Sequence, residues 1–362
     1  MSNQTPYYVA FSHMLGIGPV TFTSLLNHFD SVKNAYKAPT EALEPLLGNT
    51  LLAKFDRFRT TFDLEKKLSE IAKKNIHIVT QESPDYPQSL LAISDPPICL
   101  YLKGNKTLFD HAKKLFFAVV GTRRPTEYGR QTANKLSGEL AQNGFTIVSG
   151  MAIGIDAIAH WATLKSGGTT IAVLGCGVDI VYPRENANLY SAIIEKGGAI
   201  LSEFPPGMTV LPGLFVARNR IISGLSRGVL VIEGTEKSGT LITARYAAEQ
   251  GRDVFATPAP ITSLLSQAPN ILLKQGAKLV TSTLDILQEY NREVTEDNFQ
   301  KVLQSLDNNT RLVAEPLLLE PQTADEIAKA TRVDIATILN QLTILEIRGI
   351  VAKNSDGDYY LK

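Results

Sequence analysis

The chain contains only two cysteines in 362 residues, Cys99 and Cys176. Two cysteines cannot build a disulfide framework, and a cysteine-rich metal site needs more thiolates than this. His160 and Cys176 together also supply too few ligands for a metal, so we expect neither a metal nor a cofactor. Scarce cysteine is typical of a reducing compartment, and we therefore expect a cytoplasmic location.

Long apolar runs are also missing. No run approaches the roughly 18 residues that a membrane-spanning helix needs. The N-terminus has no basic segment followed by an apolar stretch, so we expect no secretory signal peptide. The Gly-x4-Gly-Lys-Ser/Thr loop is absent, which excludes a P-loop ATPase, and Gly175-Cys-Gly177 lacks the third glycine of a dinucleotide-binding fingerprint.

A net charge is absent as well, since 36 Lys and Arg balance 36 Asp and Glu. The charges are nevertheless unevenly distributed. Residues 113–282 carry 17 Lys and Arg against 11 Asp and Glu, whereas residues 291–362 carry 8 against 12. A polyanion would therefore bind to the middle of the chain, although ordinary surface variation would also produce such an imbalance.

The stretch from Leu115 to His160 predicts the centre of the fold. Leu115–Val120 and Thr146–Ser149 are short apolar runs followed by glycine, which is typical of strands buried on both faces. A helical pattern ending at Asn143 joins them, and such a strand–helix–strand unit builds a parallel sheet. The alternation continues to residue 282, so we predict an α/β fold with a doubly wound parallel sheet. Further strands are predicted at Thr170–Leu174, Ala199–Glu203, Gly228–Glu233, Asp253–Thr257 and Lys278–Thr281, with helices at Ala187–Lys196, Val216–Ser223, Ser238–Glu249 and Pro269–Lys274.

The residues before the sheet predict a helical module and a connector. Residues 1–85 have helical patterns with a tight turn at Gly16-Ile17-Gly18-Pro19. This turn is either purely structural or a helix-hairpin-helix turn whose backbone amides meet phosphate. Residues 76–112 predict a short strand at Ile76–Val79, a proline-rich extended connector and one further strand.

The residues after the sheet predict a small C-terminal domain. Helices are predicted at Leu312–Leu319, after a capping box at Thr323–Glu326, and at Ile335–Ile347, followed by a hairpin that ends at Tyr359–Leu361. This order of elements is typical of a winged helix. The predicted boundaries are therefore a helical module at 1–85, a core at 86–288, a linker at 289–309 and a winged helix at 310–362.

The carboxyl ends of the predicted parallel strands carry the candidate binding residues. Ligands of open parallel sheets bind at these ends, and paired arginines there favour phosphate. We expect Arg123 and Arg124 to clamp phosphates, and Ser149, Gly150 and helix starts to offer backbone amides. The full set of candidate residues is Gly121, Thr122, Arg123, Arg124, Ser149, Gly150, Arg218, Asn219, Arg220, Ser238, Gly239, Arg245 and Arg252.

Several cationic residues near successive strand ends suggest several phosphates in a row, which favours a nucleic-acid strand over a mononucleotide. Tyr128 and Phe215 lie near these turns, where they either stack on bases or pack in the core. Asp156 and His160 are four residues apart and share a helix face. They form either an acid–base pair or, as we favour, a polar pair that fixes the helix against the sheet.

Together these motifs resemble the DNA-processing protein A (DprA, also called Smf) family over most of the chain. The motifs that carry the resemblance are Tyr86-Pro87, Asp95-Pro96-Pro97, Val120-Gly-Thr-Arg-Arg124, Ser149-Gly150, Gly154-Ile-Asp156 with Ala159-His160, Thr170–Gly175, Tyr182-Pro183, Leu201-Ser-Glu203, Arg218-Asn-Arg220, Ser238-Gly239 with Ile242-Thr-Ala244, and Gln275-Gly-Ala277. The resemblance implies an N-terminal SAM-like module, an extended Rossmann-like core and a C-terminal winged helix. It also implies a non-catalytic homodimer that binds single-stranded DNA, protects incoming DNA during natural transformation and loads the RecA recombinase.

Three departures from the family pattern concern loops. Ile153 stands where members usually have arginine, which removes one candidate phosphate contact. Pro258-Ala259 replaces a usual Pro-Gly, and Ala268-Pro269-Asn270 replaces a Gly-x-Asn turn. The last loop of the sheet is therefore expected to differ from the family pattern.

Two other function classes fit parts of the sequence. The sheet also resembles the LOG-type nucleotide phosphoribohydrolases, but Thr243 occupies the position of their catalytic glutamate and cannot replace a carboxylate. A transcription regulator would use the winged helix, whose second helix holds Asn340 and Gln341 but no basic residue. We predict that this domain contacts protein, or DNA only weakly.

Overall fold

This computed structural model describes residues 4–109, 115–290, 306–318, 321–347, 350–354 and 357–361. The chain forms two compact units, Met1–Glu289 and Tyr290–Lys362. Most of the predicted linker at 289–309 falls on residues 291–305, which lie outside the described residues. Within the described part, no helix has the length and apolar character needed to cross a membrane.

Five helices open the first unit. Pro19 starts the second helix with its fixed φ, and the side chains of Ser31 and Asp63 cap the third and fifth helices. The hydrophobic core of these helices continues into one face of the sheet, from Phe11 and Phe22 to Tyr101. The five helices are α1 Thr5–His13, α2 Pro19–Phe29, α3 Val32–Lys37, α4 Thr40–Thr61 and α5 Leu64–Lys73.

A nine-stranded sheet forms the centre of this unit. Its strands are β1 His77–Thr80, β2 Cys99–Gly104, β3 Leu115–Val120, β4 Phe145–Ser149, β5 Thr170–Val173, β6 Ala199–Ser202, β7 Gly228–Val231, β8 Asp253–Ala256 and β9 Lys278–Leu279. Their order is β1-β2-β6-β5-β4-β3-β7-β8-β9. The chain builds from β3 to β6 in one direction and then returns to add β7 to β9 beside β3. The doubly wound arrangement is therefore confirmed, and strand order reverses between β3 and β7.

The parallel sheet predicted for residues 113–282 is confirmed, but two antiparallel strands extend it at one edge. Strands β3 to β9 pair in parallel, but β2 pairs antiparallel with β6 and β1 pairs antiparallel with β2. The predicted connector thus contributes two strands to the sheet itself. Every residue of β3 and β4 is buried, as expected for strands covered on both faces.

Eight further α-helices belong to the described residues of the first unit. They are α6 Gln88–Leu91, α7 Glu127–Gln142, α8 Ile155–Lys165, α9 Ala187–Glu195, α10 Pro212–Leu225, α11 Gly239–Glu249, α12 Gln267–Lys274 and α13 Thr283–Glu289. The ends of most predicted strands and helices lie within two residues of the observed ends. Helix α10 begins four residues before the predicted Val216, because Pro212 is well suited to a first turn.

The second unit has its own small core. It contains α14 Asn308–Ala314, α15 Ala324–Thr331, α16 Ile335–Ile347, β10 Val351–Lys353 and β11 Tyr359–Leu361. The capping box at Thr323 and Glu326 is confirmed, and β10 pairs antiparallel with β11. Helix α14 starts four residues before the predicted Leu312, because Asp307 accepts from the backbone of Thr310 and begins the helix earlier. The identification of this unit as a winged helix stays a prediction.

Candidate nucleic-acid interface

Two adjoining cavities lie at the carboxyl ends of the parallel strands, where strand order reverses. The larger, which we call the central cavity, has a volume of about 610 Å³. It is lined by Val120, Gly121, Thr122, Arg123, Ala152, Asp156, Tyr182, Val210, Phe215, Val216, Arg218, Asn219, Ile222, Ser238, Gly239, Thr240 and Thr243. The smaller, the side cavity, has a volume of about 370 Å³ and is lined by Arg123, Gly150, Ala152, Ile153, Tyr182, Pro183, Arg184, Glu185, Phe215 and Arg218. This is the crevice in which ligands of doubly wound sheets bind.

Backbone contacts hold the loop between β3 and α7. The Thr122 N–H donates to the carbonyl of Glu233 at 2.8 Å, and the Thr122 carbonyl accepts from the Ile155 N–H at 3.1 Å. Gly154 has a φ of +87°, and a Cβ there would collide with the backbone of Thr122 and Arg123. Because the backbone is fixed in this way, the loop presents exposed arginines at 123 and 124 from a rigid support.

Arg218 is a buried arginine that lies between the two cavities. Its side chain packs against Gly150, where a Cβ would collide with the guanidinium. Its Nη1 donates to the Val173 carbonyl at 2.5 Å. Burial lowers the pKa of Arg218 to about 10, while the nearby Asp156 carboxylate opposes this shift. Its Nε has no hydrogen-bond partner in the described structure. Arg218 therefore brings a positive charge with unused donor capacity into the interior of the site.

Asp156 organises the loop after β4. Its Oδ2 accepts from the N–H groups of Gly150 at 3.1 Å and Ala152 at 3.4 Å. Burial raises the pKa of Asp156, against the opposing effects of Arg218 and these two amides. The Gly150 amide is consequently engaged inside the protein.

The first turn of α11 forms the opposite wall of the central cavity. The Ser238 hydroxyl caps this helix by accepting from the Thr240 N–H at 3.0 Å. The Asn219 side-chain amide donates to the Gly239 carbonyl at 3.4 Å. The N-terminal end of the helix carries a partial positive charge, which favours an anion in the cavity.

An aromatic pair lies at the junction of the cavities. The rings of Tyr182 and Phe215 have centroids 5.3 Å apart, and the Arg123 guanidinium is 5.9 Å from the Phe215 centroid. Phe215 is half-buried and lines both cavities, so it is not a core residue. Tyr128 lines neither cavity, and its hydroxyl donates to the Pro258 carbonyl. Sequence reasoning named Tyr182 only as part of a family motif, because the long loop that brings it here has no local signal.

The sequence profile of the family described as DNA recombination-mediator protein A matches residues 77–291. This range includes the whole sheet and every segment that lines the two cavities. The chain belongs to the DNA recombination-mediator protein A family.

Relatives in this family align over much of the chain. It is 40% identical to the protein Smf of Escherichia coli over 302 residues, which are 81% of this chain and 80% of the relative. It is 44% identical to the DNA processing protein DprA of Bacillus subtilis, over 62% of this chain and 75% of the relative. The resemblance predicted from the motifs is therefore confirmed.

Two solved structures of the family share the fold. DNA processing protein A from Streptococcus pneumoniae has a TM-score of 0.69 at 36% identity, covering 80% of this chain and 98% of that chain. DNA processing protein A from Helicobacter pylori, described as having a unique single-stranded DNA binding mode, has a TM-score of 0.52 at 34% identity. That match covers 59% of this chain and 95% of the other.

The structure brings most of the predicted site residues of this family member together. Gly121, Thr122, Arg123, Gly150, Arg218, Asn219, Ser238 and Gly239 line one or both cavities. Arg124 is exposed on the loop beside them. Ile153, the departure from the family pattern, is 41% exposed and lines the side cavity. Arg184 also lines the side cavity, although sequence reasoning did not select it.

Two predicted arginines are engaged by groups within the fold and need correction. Arg220 is buried, and its guanidinium pairs with Glu203 at 2.6 Å and Asp95 at 2.8 Å. Burial opposes its charge, yet Glu203 and Asp95 raise the pKa of Arg220 above its ordinary value. The Nη2 of Arg252 donates to the carbonyls of Ser89 and Gly224. Both guanidinium groups support the fold and do not line either cavity.

Two further predicted residues are also placed differently. Arg245 is exposed and forms an ion pair with Glu249 one turn later, outside both cavities. Ser149 is fully buried, and its hydroxyl donates to the Val119 carbonyl at 2.7 Å. Neither Ser149 nor the engaged Gly150 amide offers a donor to a ligand.

Asp156 and His160 bond to different partners, so two separate contacts stand where a polar pair was favoured. The Thr170 hydroxyl donates to the Ile147 carbonyl at 2.7 Å, so His160 Nδ1 must donate to that hydroxyl at 2.6 Å. Burial lowers the pKa of His160 to about 3, which keeps the ring neutral. His160 thus fixes α8 to β5 at Thr170, whereas Asp156 fixes it to the loop after β4. Within the described ranges, no cluster of three potential metal ligands is present.

Proposed function

We propose that this protein binds single-stranded DNA at the central and side cavities without breaking a bond. One observation carries the proposal: two guanidinium groups, a helix N-terminus and an aromatic pair converge on adjoining cavities at the strand ends. Cationic groups bind phosphates of any sequence, and aromatic rings stack on bases at about 1–3 kcal/mol each. The single-stranded DNA binding described for the Helicobacter pylori relative supports the same assignment.

A salt titration tests the phosphate contacts. Binding of single-stranded DNA weakens with salt, with a slope of about −0.7 for each neutralised phosphate. Replacing both Arg123 and Arg124 with Ala should weaken binding equally for all sequences and reduce the slope by about 1.4. Filter binding of oligonucleotides at several salt concentrations measures both quantities.

Arg227 provides the matched control for this titration. It is an exposed arginine directly before β7, at the amino-terminal ends of the parallel strands, whereas the cavities lie at their carboxyl ends. Arg227→Ala should leave affinity and slope as they are in the parent protein. An unchanged slope in the double variant would contradict the assignment of Arg123 and Arg124 to the interface.

We further propose that the protein is a cytoplasmic homodimer that protects incoming DNA and loads the RecA recombinase during natural transformation. Membership of the DNA recombination-mediator protein A family supports this role. Light scattering of the purified chain tests the dimer. Co-purification with RecA in the presence of single-stranded DNA tests the partner, and its failure would remove the loading role.

The proposed absence of catalysis also has a direct test. At the position of the LOG-type glutamate, the Thr243 hydroxyl donates to the Gly239 carbonyl at 3.3 Å. The carboxylate that lines the central cavity, Asp156, is engaged by two backbone amides. Incubation with nucleoside monophosphates should release no base, and release above background would favour the phosphoribohydrolase.

A further inference from the structure

The charges around the central cavity do not match a single phosphodiester. Arg123 and Arg218 contribute two positive charges, and Asp156 contributes one negative charge. The N-terminus of α11, an 11-residue helix, adds about half a positive charge. The sum is roughly +1.5, whereas a phosphodiester carries a charge of about −1 and a phosphomonoester about −1.5 to −2 at neutral pH.

Two donors on residues that line the cavity have no hydrogen-bond partner in the described part of the chain. Arg218 is only 5% exposed, and its buried Nε has no hydrogen-bond partner within the described residues. The Gly239 N–H, at the first position of α11, likewise makes no hydrogen bond in the described part of the chain. A buried arginine without full pairing is costly, so this arrangement is suited to an anion that enters the cavity.

The depth of Arg218 restricts how a DNA strand can reach it. An internal phosphate has a nucleotide on both sides, and both would have to enter before that phosphate could contact a buried guanidinium. A terminal phosphate has a nucleotide on one side only. The cavity volume of about 610 Å³ lies within the roughly 300–1,000 Å³ of small-molecule sites, so one nucleotide fits.

We propose that the central cavity binds the terminal phosphomonoester of a single DNA strand in preference to an internal phosphodiester. The inference rests on the proposed binding of single-stranded DNA at this site. Arg123, Arg218 and the Gly239 N–H hold the terminal phosphate. The exposed Arg124 and the rings of Tyr182 and Phe215 then contact the nucleotides that follow.

Four versions of one short oligo-dT distinguish binding of a terminal phosphomonoester from binding of an internal phosphodiester. They carry a 5′-phosphate, a 3′-phosphate, two hydroxyl ends, or a 5′-methyl phosphate, which retains the ester but only one negative charge. The full chain should bind one of the phosphorylated ends about tenfold more tightly than the hydroxyl form. If the preferred end is 5′, methylation should abolish the preference. Equal affinities for all four would overturn this inference and leave the binding of single-stranded DNA standing, whereas no binding to any would overturn both.

Two glycines allow a matched test of the proposed binding of a terminal phosphate beside the Gly239 N–H. A Cβ at Gly239 or at Gly213 would meet no atom within 4 Å, so either alanine variant should fold normally. Both lie in the first turn of a helix, but only Gly239 lines the central cavity. Gly239→Ala keeps the backbone N–H but adds a methyl group in the open space beside it. This variant should lose the preference for a terminal phosphate because the methyl group hinders its approach, while still binding the hydroxyl form, and Gly213→Ala should retain the preference. Arg218→Lys should also lose the preference, and a preference that survives in Gly239→Ala would overturn the inference even if Arg218→Lys does not fold.

Discussion

Two arginines of α10 show why proximity in sequence is a poor guide to the role of a charged side chain. Arg218 and Arg220 are two residues apart, and residues at that spacing lie on different sides of a helix. Arg218 lines the central cavity, whereas Arg220 pairs with Glu203 and Asp95. The helical spacing is a signal in the sequence that separates the two. The sequence does not reveal the partners of Arg220, because Asp95 is 125 residues away.

At the residue scale, Arg220 should matter for stability much more than Arg245. Replacing Arg220 with Met leaves the carboxylates of Glu203 and Asp95 without their partner, which should lower the free energy of unfolding by about 3–5 kcal/mol. Arg245→Ala removes an exposed ion pair and should produce no measurable change. Urea unfolding of the two variants makes the comparison, and equal effects would contradict the structural role of Arg220.

At the scale of elements, the parallel strands are predictable and the antiparallel edge is not. Leu115–Val120 is predicted to the residue, because a short apolar run that ends at a glycine is typical of a strand buried on both faces. Strand β2 joins the sheet beside β6, about 100 residues later in the chain, and β1 pairs with β2. No local pattern specifies that partner or its direction, since pairing is decided by which faces the rest of the fold covers. The loops at the strand ends are predictable as a site, because each directly follows a recognisable strand. The position of Tyr182 in that site is not predictable, because no local pattern specifies where its long loop folds.

The contact between the loops after β3 and β4 gives a prediction at this scale. Gly154→Ala places a Cβ against Thr122 and Arg123 at a backbone conformation that only glycine adopts readily, with a strain of about 1–3 kcal/mol. The variant should be less stable in urea, and it should bind single-stranded DNA more weakly because the loop that carries Arg123 must shift. Gly197 is the control, since its φ is also positive at +79° but a Cβ there has no neighbour within 4 Å. If Gly197→Ala loses as much affinity for DNA, the loop contact is not responsible.

At the scale of the whole molecule, the charges divide between the two units. Residues 113–282 have six more positive than negative charges, and residues 291–362 have four more negative than positive. Long-range attraction for a polyanion therefore arises in the first unit. The second unit has its own buried core around Ile338, Leu342 and Leu345, which allows it to be studied in isolation.

The exposed side of α16 has the wrong chemistry for reading DNA. Ile335 and Leu339 are exposed apolar residues at 41% and 44%, and the helix contains no lysine or arginine. Of its two amide side chains, Gln341 accepts a hydrogen bond from the Thr310 hydroxyl at 2.7 Å, which leaves Asn340 as the exposed amide. Reading of the major groove relies on Arg, Lys, Asn and Gln side chains that reach base edges.

We therefore expect the isolated unit 290–362 to bind duplex DNA with a Kd weaker than about 1 μM at physiological salt, measured by fluorescence anisotropy. Leu339→Arg combined with Thr343→Arg places two cations on the exposed side of the same helix. This variant should bind duplex DNA more tightly than the parent unit and with a steeper dependence on salt. Tight binding by the parent unit would mean that contacts outside α16 hold the DNA, and it would contradict the prediction that this unit contacts protein, or DNA only weakly.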